Sequence, residues 1–208
     1  MSELFQFVIA VSKRHNIDES HSLGHSMRVF QFADNIMREE AKWTTNPMQL
    51  IEHTPVMQAA AILHDTCDKK YRNEEEGLSE IRRFLNPRMS TDNVDATVNI
   101  IRHMSYSKIK RNGMPDLGEY QTAFHVVREA DLLDAYDFDR SMIYHMSRNG
   151  KGVEESYENA CDLFETRVLR HADDGLLYTR YAKQEHPVLS QAAIRRIYQW
   201  RRVLRCVG

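Results

Sequence analysis

The chain has 208 residues, 42% hydrophobic and 28% charged, with 28 basic and 30 acidic side chains and a net charge of -2. That apolar content suffices for one sizeable core and excludes a disordered chain, while the balanced charge excludes the basic field that draws proteins to nucleic acid or anionic lipid. The three cysteines, Cys67, Cys161 and Cys206, are too few and too scattered for a disulfide framework or a four-thiolate zinc site, which points to a reducing compartment, the cytoplasm.

Few glycines and prolines and no alternating strand pattern predict an all-α chain, read as a single domain over residues 1–208. The N-terminal segment has an acidic residue before its apolar run and no small-residue cleavage site after it, so it reads as an amphipathic helix. Val29, Phe30, Ala33, Ile36 and Met37 recur at three- and four-residue spacing and predict a helix from Ser20 to about Lys42. Thr54, as N-cap before Pro55, opens a helix that is apolar nearly all round and ends at His64 and Asp65. Asn73 followed by three glutamates opens another, running to Leu85 before Asn86-Pro87. Thr91 caps a helix through Ile101, and further helices are predicted over Glu119 to Tyr136, Val153 to His171 and Ser190 to Cys206. Lys108 to Leu117, with Asn112-Gly113 and Pro115, predicts a loop over a site. No stretch reaches the roughly 20 apolar residues of a membrane span.

The chemistry begins at His64-Asp65, because burying an uncompensated carboxylate costs several kcal/mol and an Asp there is expected to be paired or metal-bound. The dipeptide alone is too short to decide and is more simply read as a capping Asp and a hydrogen-bonded His. His21 and His25, four residues apart, can present two imidazoles to one ion or anion from a common helix face. Asp131, among Val127, Ala130 and Asp134 on neighbouring turns, is expected to face inward.

In order, the chain carries Ser20-His21-Ser22-Leu23-Gly24-His25-Ser26-Met27-Arg28-Val29, Leu63-His64-Asp65-Thr66-Cys67-Asp68-Lys69, Ile101-Arg102-His103-Met104-Ser105-Tyr106-Ser107 and Glu129-Ala130-Asp131-Leu132-Leu133-Asp134-Ala135. These segments resemble the HD-domain superfamily of metal-dependent phosphohydrolases, whose pattern is a His, a His-Asp pair and a distant Asp, and among them the small nucleotide-pyrophosphatase-like members. The likeness covers residues 20–137; the C-terminal extension 138–208 is helical by pattern and carries no assigned motif. The resemblance implies an HD-domain helical bundle with additional C-terminal helices, and metal ligation by His25, His64, Asp65 and Asp131. One divalent ion is expected, drawn from manganese, magnesium, cobalt, nickel, iron or zinc, with manganese favoured. Asp68, three residues after Asp65, is the candidate general base, on the expectation that the helix continues through it. Arg28, Lys69 and Lys70 are candidates to neutralise phosphate oxygens, His21 to bind phosphate or orient a neighbour, and His103 and Lys108 to reach substrate. Asp134 is expected to orient a neighbour or cap a turn, and His15, His53, His125, His145, His171 and His186 to be structural.

The implied reaction is hydrolysis of a phosphate ester or phosphoanhydride, of a nucleotide by preference, in a monomer or homodimer without nucleic-acid or membrane partners. Two alternatives stand beside it. A dinuclear iron oxygenase of the same superfamily would use His103 and His125 as extra ligands, and a catalytically silent module would bind nucleotide without turnover.

Overall fold

The computed structural model describes the backbone of residues 1–207 and the side chains of residues 1–205; the side chain of Cys206 lies outside the described residues. Among these the chain is all-α, with eleven α-helices, short 3₁₀ turns and no strand. None of the helices is long and apolar enough to cross a membrane.

The helices are α1 (Ser2–His15), α2 (Leu23–Glu40), α3 (Pro47–Glu52), α4 (Thr54–Leu63), α5 (Glu74–Leu85), α6 (Thr91–His103), α7 (Tyr106–Asn112), α8 (Gln121–Asp134), α9 (Phe138–Asn149), α10 (Val153–Thr166) and α11 (Arg180–Val207). Asn73 caps α5 as its sequence predicts, its side chain accepting from the Glu76 amide. The cap of α6 is Ser90 rather than Thr91, with its hydroxyl accepting from the Asn93 amide. The N-cap of α4 is His53, because Thr54 is already helical and its hydroxyl donates to the Leu50 carbonyl at 3.3 Å.

Three predicted segments differ more. Lys108 lies in α7, so the loop expected from Lys108 is helical through Asn112 and turns only at Gly113, where φ is +77°. The helix predicted from Val153 to His171 breaks at Arg167, with a 3₁₀ turn over Val168–Arg170. The last helix starts at Arg180 and runs through Pro187. A proline inside a helix costs about 3 kcal/mol; Ala182 and Ala193 are buried on either side of it.

Two apolar clusters organise the molecule. In the larger, α2, α4 and α8 pack together through Val29, Ile36, Ala60, Ile62, Leu63, Phe124 and Val127, all excluded from solvent. Seven of the ten residues of α4 are buried, which is why its sequence is apolar all round. The smaller cluster joins Phe138 and Met142 of α9 to Ala160 and Phe164 of α10, Val168 of the 3₁₀ turn that follows it and Ala193 of α11. Leu189 touches both clusters.

Gly77 of α5 is a close-approach position. A Cβ there would stand 2.5 Å from the Cβ and 2.8 Å from the Cα of Cys67, so only glycine lets α5 pack on the 3₁₀ turn His64–Cys67. That turn carries the polar pair at the end of α4.

Candidate metal centre

His25 projects from the first turns of α2, His64 and Asp65 from the 3₁₀ turn that ends α4, and Asp131 from the last turn of α8. One ligand atom each from His25, His64 and Asp131 lies within 4.8 Å of the others, so this group could hold a metal ion. The two Nε2 atoms are 3.0 Å apart, and Asp131 Oδ1 lies 3.4 Å from that of His25 and 3.6 Å from that of His64. Asp65 closes the ring, with Oδ2 3.1 Å from His25 Nε2 and Oδ1 3.4 Å from His64 Nε2. Side-chain exposure rises from 0% at His25 through 5% at His64 and 13% at Asp65 to 27% at Asp131, so the cluster opens on the Asp131 side.

The proton inventory argues that this cluster needs a cation. His64 Nδ1 is 2.9 Å from the Ala61 carbonyl and His25 Nδ1 is 2.6 Å from Asp134 Oδ2. Both partners can only accept, so each Nδ1 carries the proton and each neutral ring turns a bare Nε2 lone pair toward the other. Two lone pairs and two carboxylates then face one point without a donor, and Asp65 Oδ2 is buried with no hydrogen-bond partner. Without a metal the remedy is a proton. Burial disfavours it on His64, but the Asp65 and Asp131 carboxylates outweigh burial and push that imidazole up to about 9. Burial likewise opposes ionisation of Asp65 and Asp131, yet the neighbouring imidazoles hold both below the ordinary carboxylate range. One proton satisfies one pair of these atoms; a divalent ion satisfies all four.

Behind His25 stands a second layer. Asp134 is expected to orient a neighbour, and it accepts from His25 Nδ1 and from Arg28 Nε at 2.7 Å. Burial raises its pKa, but His25 and the Arg140 and Arg28 guanidiniums bring it down to about 2. Arg140 Nη1 lies 2.8 Å from His25 Nδ1 and 3.4 Å from its Nε2.

A cavity of about 330 Å³ opens beside the cluster. His64, Asp65 and Asp131 line it, together with the predicted His21, Asp68, Lys69, Lys70 and Lys108. Arg28 and His103 are not among its lining residues: Arg28 is held on Asp134, and His103 Nδ1 bonds the Asn99 carbonyl at 2.8 Å. His125 stacks on Tyr178 at 4.5 Å and also lies off the cavity. Asp68 does not sit on a continuing helix, because the 3₁₀ turn ends at Cys67 and Asp68 is extended, with φ −60° and ψ 129°. Its carboxylate accepts from the Lys70 amide at 2.9 Å and pairs with Lys70 Nζ at 3.2 Å. His21 precedes α2 on a 3₁₀ turn, between Ser20 Oγ, Tyr71 Oη and Lys70 Nζ. Burial pulls its pKa down to about 3; Asp65 opposes this, and the Lys70 and Arg140 charges add to it. His21 is therefore a neutral ring. Cys67, also on the lining, is no nucleophile, since burial raises its thiol far above neutrality.

The far wall comes from residues without an assigned motif: Arg140, Ser141, Tyr144 and His145 of α9 and Leu163, Arg167 and Val168 of the α10 region. The four α9 residues have spacing i, i+1, i+4, i+5, one helix face, a signal present in the sequence. His145, expected to be structural, belongs to that face.

Comparison with known proteins finds no matching family model, curated protein or solved structure.

Proposed function

We propose that the chain is a metal-dependent phosphohydrolase that cleaves a phosphate ester or phosphoanhydride, a nucleotide by preference, as its HD-domain resemblance implies. The observation that carries this reading is the pair of Nε2 atoms 3.0 Å apart, ringed by Asp65 and Asp131 at the edge of a cavity whose wall also carries Lys69, Lys70, Lys108, Arg140 and Arg167. His25, His64, Asp65 and Asp131 are the proposed ligands, and their mixed imidazole and carboxylate set suits manganese among the divalent ions considered. Bound there, such an ion would supply Lewis-acid charge to a phosphoryl oxygen and lower the pKa of a water.

The protein's own part is positioning and proton handling. Asp134 and the Ala61 carbonyl keep both imidazoles in the tautomer that presents Nε2. Lys69, Lys70 and Arg140 offer donors to phosphate oxygens at the cluster's edge. Asp68, paired with Lys70, is the proposed acceptor for the attacking water's proton. Phosphate entering beside Lys70 would draw that ammonium off the carboxylate and free it as a base.

The test is release of phosphate and pyrophosphate from nucleoside mono-, di- and triphosphates with manganese, magnesium, cobalt or zinc, run beside Asp65→Ala. Metal-dependent release that Asp65→Ala abolishes supports the reading; silence across the panel, or release that survives Asp65→Ala, sinks it.

A further inference from the structure

Arg167 differs from every other cation on the cavity wall. Lys108 pairs with Glu74, Lys70 with Asp68, and Arg140 lies 3.6 Å from Asp134. Lys69 has no such partner among the described residues, but it is exposed. Arg167 is half-buried, and among the described residues no carboxylate oxygen lies within 4.0 Å of it. Its Nε is shut off from solvent without a hydrogen-bond partner. The one evident compensation is the Tyr106 ring, 4.2 Å beneath the guanidinium. Burial also pulls its pKa below the ordinary arginine value, with Asp131 and Tyr106 opposing from a distance.

An arginine stays charged at any ordinary pH, and enclosing that charge without an anion is costly. The position adds purpose to the cost: Arg167 occupies the break between α10 and its 3₁₀ turn, with φ −136° and ψ −64°, and faces the cavity that holds Asp131. A planar guanidinium with free donors matches the oxygens of a phosphoryl group.

We propose that Arg167 is the receptor for a phosphoryl group of the substrate, so that the C-terminal helices complete the binding site begun by α2, α4 and α8. This rests on the phosphohydrolase reading for the identity of the anion. Its test is calorimetric titration of inorganic phosphate and pyrophosphate into the full chain, stripped of divalent metal, as wild type, Arg167→Lys and Arg167→Met, with thermal melting of each ligand-free protein. The expected result is about 10- to 100-fold weaker pyrophosphate binding in Arg167→Met, partial retention in Arg167→Lys, and a ligand-free melting temperature that Arg167→Met leaves unchanged or raises. Binding that ignores the substitution, wild type that binds neither anion, or a lower melting temperature in Arg167→Met overturns it, the last in favour of a structural role. Because the probes are bound and not hydrolysed, a wild type without phosphohydrolase activity counts against the parent reading alone.

Discussion

In the cluster built from α2, the end of α4 and α8, which reaches the cavity through His64, Asp65 and Asp131, charges meet in chains: Arg28 and His25 share Asp134, and His64 lies between Asp65 and Asp131. On the opposite wall, Arg167 has no carboxylate within ion-pair range and His171, fully buried nearby, has no hydrogen-bond partner on either ring nitrogen. The first wall is four acceptors short of a cation; the second holds a cation short of an anion. A buried polar group left unsatisfied costs stability, so both walls give up folding free energy in the ligand-free chain. What they lack has opposite sign, which fits a cavity that takes a metal on one side and an anion on the other.

The largest effect is expected at the metal cluster. His64→Ala is expected to abolish both metal retention after dialysis and turnover, because it opens the ligand ring. Metal content equal to wild type in that variant would remove the assignment. Asp68→Asn should keep the metal but lower turnover by about 100- to 10,000-fold, as expected for loss of a general base. Turnover at the wild-type level would leave Asp68 as no more than the partner of Lys70.

A smaller effect is expected one layer back. Asp134→Ala removes the acceptor for His25 Nδ1 and should weaken metal affinity by about 10- to 100-fold, read by competition with a chelator. The mildest effect belongs to the second wall. Burial, with the Arg167 charge, pulls His171 down to about 3, against the opposing field of Asp131. The folded chain therefore keeps this ring neutral while the unfolded chain protonates it below about 6.5. Its contribution to stability is complete above pH 6.5 and is lost as pH falls toward 3, at no more than about 1.4 kcal/mol per pH unit. His171→Leu should flatten that part of the denaturant-derived stability curve between pH 6 and about 4; an unchanged slope would show that the loss arises elsewhere.

Much of the first wall is legible in the primary structure because its residues break a local pattern. His64 and Asp65 interrupt an apolar run, and Asp131 lies among core positions of α8. Arg28 was harder, since one helix turn from His25 is compatible with either the cavity or Asp134, and only packing of α2 on α8 selects Asp134. Asp68 was expected on a helix face, but Gly77 brings α5 against the turn at Cys67 and the chain leaves Asp68 extended. Arg140 reaches His25 across a separation of 115 residues, and no local spacing encodes that approach.

That this chain is helical can be read from its primary structure, because apolar spacing and helix caps act over a few residues. The primary structure also marks which histidines and aspartates are out of place on apolar faces, because burying them uncompensated is costly wherever the helices go. Packing between distant segments is what commits both Nδ1 atoms, brings the two Nε2 atoms together and turns Arg140 and Arg167 to the same cavity. Those facts depend on distances between segments far apart in the chain, which are set by how two apolar clusters pack and not by any pattern within one helix.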